Sequence, residues 1–200
     1  MKLFLASGNP GKLLEIQDLL KDLPIQLVTP KDLNLNLDIL ESGASYKENA
    51  ARKALAYSTA AHLLTLADDS GLEVGVLDGA PGVHSHRFAP QPGATDADRR
   101  RYLLTKLREL PRPWQARFRC VIALATPLGE VEYAEGACDG EIIPQERGEF
   151  GFGYDPVFLV EGTDLTMAEL PMEQKNRLSH RAGAVIAIRP ALLRAIRSQP

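Results

Sequence analysis

The residues most able to do chemistry in this chain fall into four short clusters. The first, Ser7-Gly8-Asn9-Pro10-Gly11-Lys12, sits between an apolar run (Leu3, Phe4, Leu5, Ala6) and an amphipathic one (Leu13, Leu14, Ile16, Leu19, Leu20). Strand, Gly-rich loop, lysine and helix in that order make a phosphate cradle, because the free N–H groups and dipole at a helix N-terminus attract anions. It is not a Walker A loop, which closes on Gly-Lys-Ser/Thr so that a hydroxyl can hold magnesium. Here the glycines stand too close together and Leu13 occupies the hydroxyl's position. The second cluster, Leu66-Ala67-Asp68-Asp69-Ser70-Gly71, offers a replacement at the end of an apolar strand. Magnesium takes one or two carboxylates together with water and phosphate oxygens, which an Asp68/Asp69 pair can provide. Glu41, shortly before Gly43, is a third candidate oxygen ligand. The same Asp-Asp-Ser-Gly also reads as a solvated turn.

The third cluster is Gly151-Phe152-Gly153-Tyr154-Asp155-Pro156. An aromatic between glycines can lie against a flat ligand, since the flanking backbone approaches closely. Alone, such a stretch reads equally as a turn with its aromatics tucked into the core. The fourth, Lys175-Asn176-Arg177-Leu178-Ser179-His180-Arg181, packs three cations and a histidine around a helix start. A solvated basic helix start is the plain alternative, but cations are unfavourable at a helix N-terminus, so His180 and Arg181 there ask for an anionic ligand. The four clusters together describe a magnesium nucleotide bound across a cleft.

The elements that must position these clusters follow from periodicity and caps. A buried strand is predicted over 2–7. A helix begins at Pro10, with Asn9 as N-cap and proline in the first turn. A short strand covers 25–28, and 30–44 is irregular. Ser45-x-x-Glu48 is a capping box for a helix over 45–61. A strand over 63–67 ends in Asp68–Gly71, and 72–77 continues as a strand. A Gly/Pro-rich loop covers 78–94, and a helix capped by Thr95 runs to 110. Alternating residues over 116–126 and 131–143 form a hairpin around the turn 127–130. A Gly-rich loop over 144–153 and a short strand over 156–160 precede a C-terminal helix capped by Ser179 and interrupted near Pro190. The order predicts an α/β fold: a mixed sheet flanked by helices, in two lobes with a cleft, forming one functional domain over 1–200.

Composition narrows the function classes. Hydrophobic residues make up 44% and charged residues 24%, ordinary values for a globular protein. A net charge of −3 argues against a broad nucleic-acid-binding face. Two cysteines, Cys120 and Cys138, are too few for a disulfide framework and read as buried reduced thiols. The N-terminus is not of signal-peptide type and no apolar run reaches membrane-spanning length, so the expectation is a cytoplasmic protein without membrane contact.

The motifs ASGNPGKLLEI, ESGASYKENAARKA, LADDSGLEV, GAPGVHSHRFA, ARFRCVIAL, GFGYDPVF and EQKNRLSHRAGA occur in this order over nearly the whole chain. In that set the sequence resembles the inosine triphosphate pyrophosphatase family. The resemblance implies an elongated mixed sheet with helices, divided into two lobes by the active-site cleft. It implies magnesium-dependent cleavage of dITP, ITP and XTP into the monophosphate and pyrophosphate, which clears deaminated purines, and a homodimer. It implies residue roles as well. Ser7, Gly8, Asn9, Pro10, Gly11 and Lys12 would hold the triphosphate. Asp69 would be general base and metal ligand, with Glu41 and Asp68 near the ion, and Ser70 would touch substrate. Phe152, Gly153, Tyr154 and Asp155 would line the base pocket, with Phe152 stacking. Lys175, His180 and Arg181 would complete base and phosphate recognition, and Lys53 is a further phosphate contact.

These roles are physically coherent. Magnesium and lysine offset the charge that repels an attacking water, and a carboxylate can take that water's proton. Donors aimed at O6 would select a 6-oxo purine, because a wrong group leaves them unpaired. The chain departs from the family at Val83-His84-Ser85-His86-Arg87, where an aromatic at 84 and a small residue at 86 are usual. In a strand the two histidines would share a side, but two ligands are too few for zinc. His84 reads as a replacement for the aromatic and His86 as exposed. Two other readings compete. One is a Maf-like pyrophosphatase for modified pyrimidine nucleotides. The other is a nucleotide-binding module without catalysis, which would be expected to lack the acidic residues.

Overall fold

The computed structural model describes residues 1–40 and 43–198, so Glu41 lies outside the described residues. Six strands form one sheet in the order β2-β1-β3-β4-β5-β6. They are β1 (Lys2–Leu5), β2 (Gln26–Val28), β3 (Thr65–Val74), β4 (Trp114–Ala125), β5 (Val131–Ile142) and β6 (Phe158–Val160). β1 pairs parallel with both β2 and β3, with Phe4 opposite Val28 and Thr65, whereas β5 and β6 are antiparallel. The five α-helices are α1 (Pro10–Leu19), α2 (Tyr46–Ala61), α3 (Asp96–Leu107), α4 (Met172–Leu178) and α5 (His180–Arg197).

The chain divides into two compact units, one of Met1–Asp69, Cys120–Gly136 and Arg181–Pro200, the other of Ser70–Arg119 and Ala137–His180. Each has its own apolar core. In the first, Leu3, Leu5, Ile16, Leu66, Ile122 and Leu192 are buried together. In the second, Leu72, Leu103, Trp114, Phe118, Phe158 and Met167 are.

Local chemistry explains most helix starts. Asn9 accepts from the Lys12 N–H at 3.1 Å, and Pro10 opens α1. Thr95 and Asp98 form a reciprocal capping box on α3. At α2 only half of the expected box forms. The Ser45 hydroxyl accepts from the Glu48 N–H at 3.2 Å, but the Glu48 carboxylate accepts from the Ala44 N–H at 3.0 Å.

Three expectations are corrected. Asp68–Gly71 does not end a strand, because β3 runs unbroken from Thr65 to Val74 with both aspartates buried. Turn-type residues persist inside it because buried cations partner the carboxylates. The C-terminal helix is not interrupted at Pro190. Proline removes the bond to the carbonyl four residues earlier, here that of exposed Ile186, where water can substitute. The basic run opens on a helix of its own, α4, with Ser179 as the single extended residue before α5. In the loop expected over 78–94, His84 and His86 lie on a 3-10 turn over Gly82–Arg87 and both are exposed.

Candidate active site

The first unit gathers an ionic network around the acidic strand. Lys12, in the first turn of α1, places Nζ 2.8 Å from Asp68 Oδ2. Arg181, at the start of α5 and only 1% exposed, approaches the same oxygen at 3.3 Å and pairs with Glu15 of α1, itself 2% exposed. Lys53 of α2 donates to the Asp68 carbonyl at 2.6 Å and stands 3.6 Å from Asp69 Oδ1. Burial alone would raise the Asp68 carboxyl, but Lys12, Arg181 and Lys53 outweigh it and hold the group well below its ordinary range. Burial likewise works against the Arg181 cation, and Asp68 and Glu15 reverse that, so it stays protonated. Cys120 on β4 is a free, buried thiol, pushed up to about 12 by burial and then by Asp68.

Asp69 has separate partners. Buried Asn49 of α2 donates through Nδ2 to Asp69 Oδ2 at 3.0 Å and accepts the Gly43 N–H at 2.8 Å. The second bond fixes which way the amide faces. In the Ser7–Lys12 loop, the Ser7 hydroxyl accepts from the Asn9 N–H at 3.2 Å. The Gly8 and Gly11 amides have no acceptor among the described residues, and nothing lies within 4 Å of where a Gly8 Cβ would be. The loop therefore presents open donors beside Lys12.

Among the described residues no group of three or more His, Cys, Asp or Glu could hold a metal. Asp68 is engaged by Lys12 and Arg181, whereas Asp69 meets its cation at the longer distance. Two adjacent carboxylates of this kind fit magnesium that arrives with phosphate oxygens, not a metal caged by protein alone.

The second unit carries the aromatic loop. Lys175 of α4, 3% exposed, pairs with Asp155 Oδ2 at 2.6 Å and lies 5.2 Å from the Phe152 ring centre. Asp155 Oδ2 also accepts from the Phe152 N–H at 2.9 Å. Gly151 has φ +74°, and a Cβ there would fall 2.1 Å from that oxygen, so the tight loop depends on glycine. Tyr154 is buried and donates to the Ser85 carbonyl at 2.9 Å. Burial pushes its phenol above the ordinary range, which suits an anchor and not a proton carrier. His180 is buried and stacks on Phe118, centroids 4.7 Å apart at 15°.

The structure thus brings Lys12, Lys53, Asp68, Asp69 and Arg181 together in one unit. It brings Phe152, Asp155 and Lys175 together in the other. Sequence reading missed Asn49 and Glu15, and also Asp96 and Arg100 of α3, which hold the aromatic loop. Helical spacing toward the chemistry was their one available signal: Glu15 follows Lys12 by three residues, and Asn49 precedes Lys53 by four.

Open amides beside a lysine, neutralised strand carboxylates and an aromatic over a buried lysine suit a phosphorylated planar ligand. Fold and sites define an α/β protein that handles nucleotides. The chain belongs to the Ham1 family, whose model matches residues 3–191. It is 47% identical over 186 residues to the dITP/XTP pyrophosphatase of Desulforamulus reducens, covering 92% of each chain. It is 46% identical over 189 residues to that of Thermus thermophilus, covering 94% of this chain and 90% of the relative. A HAM1 protein from Coxiella burnetii matches its structure with a TM-score of 0.87 at 39% identity, over 97% of this chain and 99% of that one. A nucleoside-triphosphatase / dITP/XTP pyrophosphatase from Mycobacterium abscessus matches with a TM-score of 0.74 at 39% identity, over 96% of this chain and 100% of that one. The family resemblance and the mixed-sheet α/β architecture are borne out.

Proposed function

We propose that this chain is a nucleoside triphosphate pyrophosphatase that hydrolyses dITP, ITP and XTP to the monophosphate and pyrophosphate, removing deaminated purines from the nucleotide pool. The observation that carries the reading is the 2.8 Å contact between Lys12 and Asp68, which makes the glycine loop and the acidic strand one site. The family relatives are themselves dITP/XTP pyrophosphatases.

The first unit would receive the triphosphate. The Gly8 and Gly11 amides meet phosphate oxygens, and Lys12 and Lys53 offset their charge. Magnesium, when bound with the triphosphate, supplies further neutralisation of the phosphate oxygens, and Asp69 would hold it with Asp68 and Glu41 nearby. Asp69, oriented by Asn49, takes the proton of the water that attacks the α–β anhydride. As the bond to the bridging oxygen breaks, its electrons pass to pyrophosphate, whose growing charge Lys12 and Lys53 stabilise. Arg181 acts through Asp68, keeping it ionised. In the second unit, Phe152 stacks on the purine, with Lys175 and Asp155 fixing its loop. The Tyr154 N–H has no acceptor among the described residues and can donate to a 6-oxo group. Ser70 and His180 complete the substrate contacts.

The remaining assignments are one functional domain over 1–200, a cytoplasmic location and a homodimer. No helix among the described residues is long and apolar enough to cross a membrane. The test is pyrophosphate release with magnesium from dITP, XTP, dGTP, dATP and dTTP, beside Asp69→Asn. Turnover of dITP and XTP that falls about 10²–10⁴-fold in the variant is expected for loss of a general base. Turnover of pyrimidine substrates would move the chain to the Maf-like reading. Tight binding without turnover would indicate the non-catalytic module.

A further inference from the structure

Helix α3 holds a single residue of the aromatic loop, Gly153, by both of its backbone polar groups. Asp96 and Arg100 stand four residues apart, on one helical face. Asp96 Oδ2 accepts from the Gly153 N–H at 2.7 Å, and Arg100 Nη1 donates to the Gly153 carbonyl at 2.8 Å. Both side chains are themselves held. Arg99 Nη1 donates to Asp96 Oδ1 at 3.2 Å, and Arg100 Nη2 donates to Glu146 at 2.8 Å. Arg99 is anchored in turn on the carbonyls of His86 and Ala94, at 3.0 and 2.9 Å. Gly153 sits at φ +63° with nothing within 4 Å of a Cβ position, so side-chain packing does not fix this residue. The two charge-assisted bonds do.

We propose that Asp96 and Arg100 are specificity-positioning residues, which set purine selectivity by fixing Gly153 between Phe152 and Tyr154. The proposal rests on the assignment of this loop to the base. The clamp does two things. It fixes the direction of the Tyr154 N–H, since that amide follows the clamped carbonyl. It also engages the Gly153 N–H internally, so that this amide cannot act as a second donor to a base. Loops that recognise a base by a few donors discriminate only while those donors stay in place. The clamp lies wholly within the second unit, so its loss should change which base is preferred more than the rate of cleavage.

The test compares wild type with Asp96→Ala, Arg100→Met and the conservative Arg100→Lys. Two readouts are taken: kcat and KM for dITP and dATP with magnesium, and calorimetric binding of dIMP and dAMP, which needs no catalysis. Thermal unfolding of each variant accompanies them, and Arg100→Lys serves if Arg100→Met does not fold. Loss of one charged hydrogen bond predicts a rise of about tenfold in the KM for dITP and the Kd for dIMP. The values for the adenine nucleotides, whose 6-amino group offers that donor no acceptor, should change little, and kcat should stay within about twofold, so that selectivity falls about tenfold. Arg100→Lys should recover part of it. Equal losses for both bases, a fall confined to kcat, or unchanged dITP and dIMP values would overturn the proposal. A wild type that binds dIMP over dAMP but does not cleave dITP would refute the hydrolase reading, while the binding data would still decide the clamp. A wild type with no preference between dIMP and dAMP would overturn the clamp.

Discussion

Replacing Arg181 with Met is the sharpest test of how the acidic strand is held. The guanidinium is 1% exposed and serves two buried carboxylates, Asp68 at 3.3 Å and Glu15. Arg181→Met keeps the bulk and removes the charge, leaving Glu15 buried without that cation. Breaking a buried ion pair from one side costs about 3–5 kcal/mol. In a domain of this size each kcal/mol shifts Tm by about 2–4 °C, so a fall of about 6–20 °C is expected. Glu15→Leu combined with Arg181→Met removes both members of the pair, while Asp68 retains Lys12. The double variant should therefore recover at least half of the loss, since apolar replacements of buried pairs are often near neutral. The assay is thermal and urea unfolding of wild type, both single variants and the double, without metal or nucleotide. Acid titration adds an independent check. Asp68 is held below its ordinary value of 3.8, so its contribution is complete above that pH and is lost as pH falls toward the folded value. With Arg181 removed, the folded value moves back toward 3.8, so that acid loss should be smaller and end at higher pH. A Tm drop under about 2 °C, or strictly additive single variants, would refute the reasoning.

Three further outcomes follow from the same geometry. Asn49→Ala should lower kcat about 10–100-fold with little change in KM, because it removes a hydrogen bond to a charged group that orients Asp69; steady-state pyrophosphate release separates the two constants. Gly151→Ala places a Cβ 2.1 Å from Asp155 Oδ2 at φ +74°, so it should cost about 1–3 kcal/mol in denaturant unfolding and raise the KM for dITP. Cys120 carries a folded thiol pushed from 9.0 to about 12, so the stability this group contributes is complete below about pH 9 and is lost as pH rises toward 12. Comparing wild type with Cys120→Ala by urea unfolding between pH 8 and 11 should show a steeper slope in wild type, the remainder coming from raised groups such as Cys138 that both proteins keep.

The sequence made local features legible where a few adjacent residues decide them. The Asn9 cap with Pro10 and the Thr95 cap formed as expected, because each is settled within four residues. The acidic strand was misread for the opposite reason. Asp68-Asp69-Ser70-Gly71 has the composition of a turn, and its burial depends on Arg181, 113 residues away, and on Lys12. Nothing near Asp68 announces those partners. The basic run was misread through the same gap. His180 and Arg181 at a helix start asked for an anion, and the chain itself supplies two carboxylates for Arg181. Pro190 suggests a break because it lacks an N–H, and nothing local shows that Ile186 faces solvent.

That internal pairing bears on how the site would work through a cycle. Three cations, Lys12, Lys53 and Arg181, are set against three carboxylates, Glu15, Asp68 and Asp69, so the described network is balanced before any ligand enters. A triphosphate adds several negative charges, and Lys12, at the edge of the open loop, is placed to turn toward it. Asp68 would then lose its nearest cation while buried, which would favour taking up a proton at the moment its charge is wanted. Arg181 prevents this, because it is enclosed and tied to Glu15 and cannot follow Lys12 toward the phosphate. The Glu15–Arg181 pair therefore has a reason to exist beyond stability: it keeps Asp68 anionic whether or not Lys12 is engaged. If so, Glu15→Gln should weaken the hold on Arg181 and lower kcat for dITP by more than its Tm loss explains, and saturating dITP should not restore the rate. A Glu15→Gln enzyme with full kcat and a lowered Tm would confine the pair to a structural role.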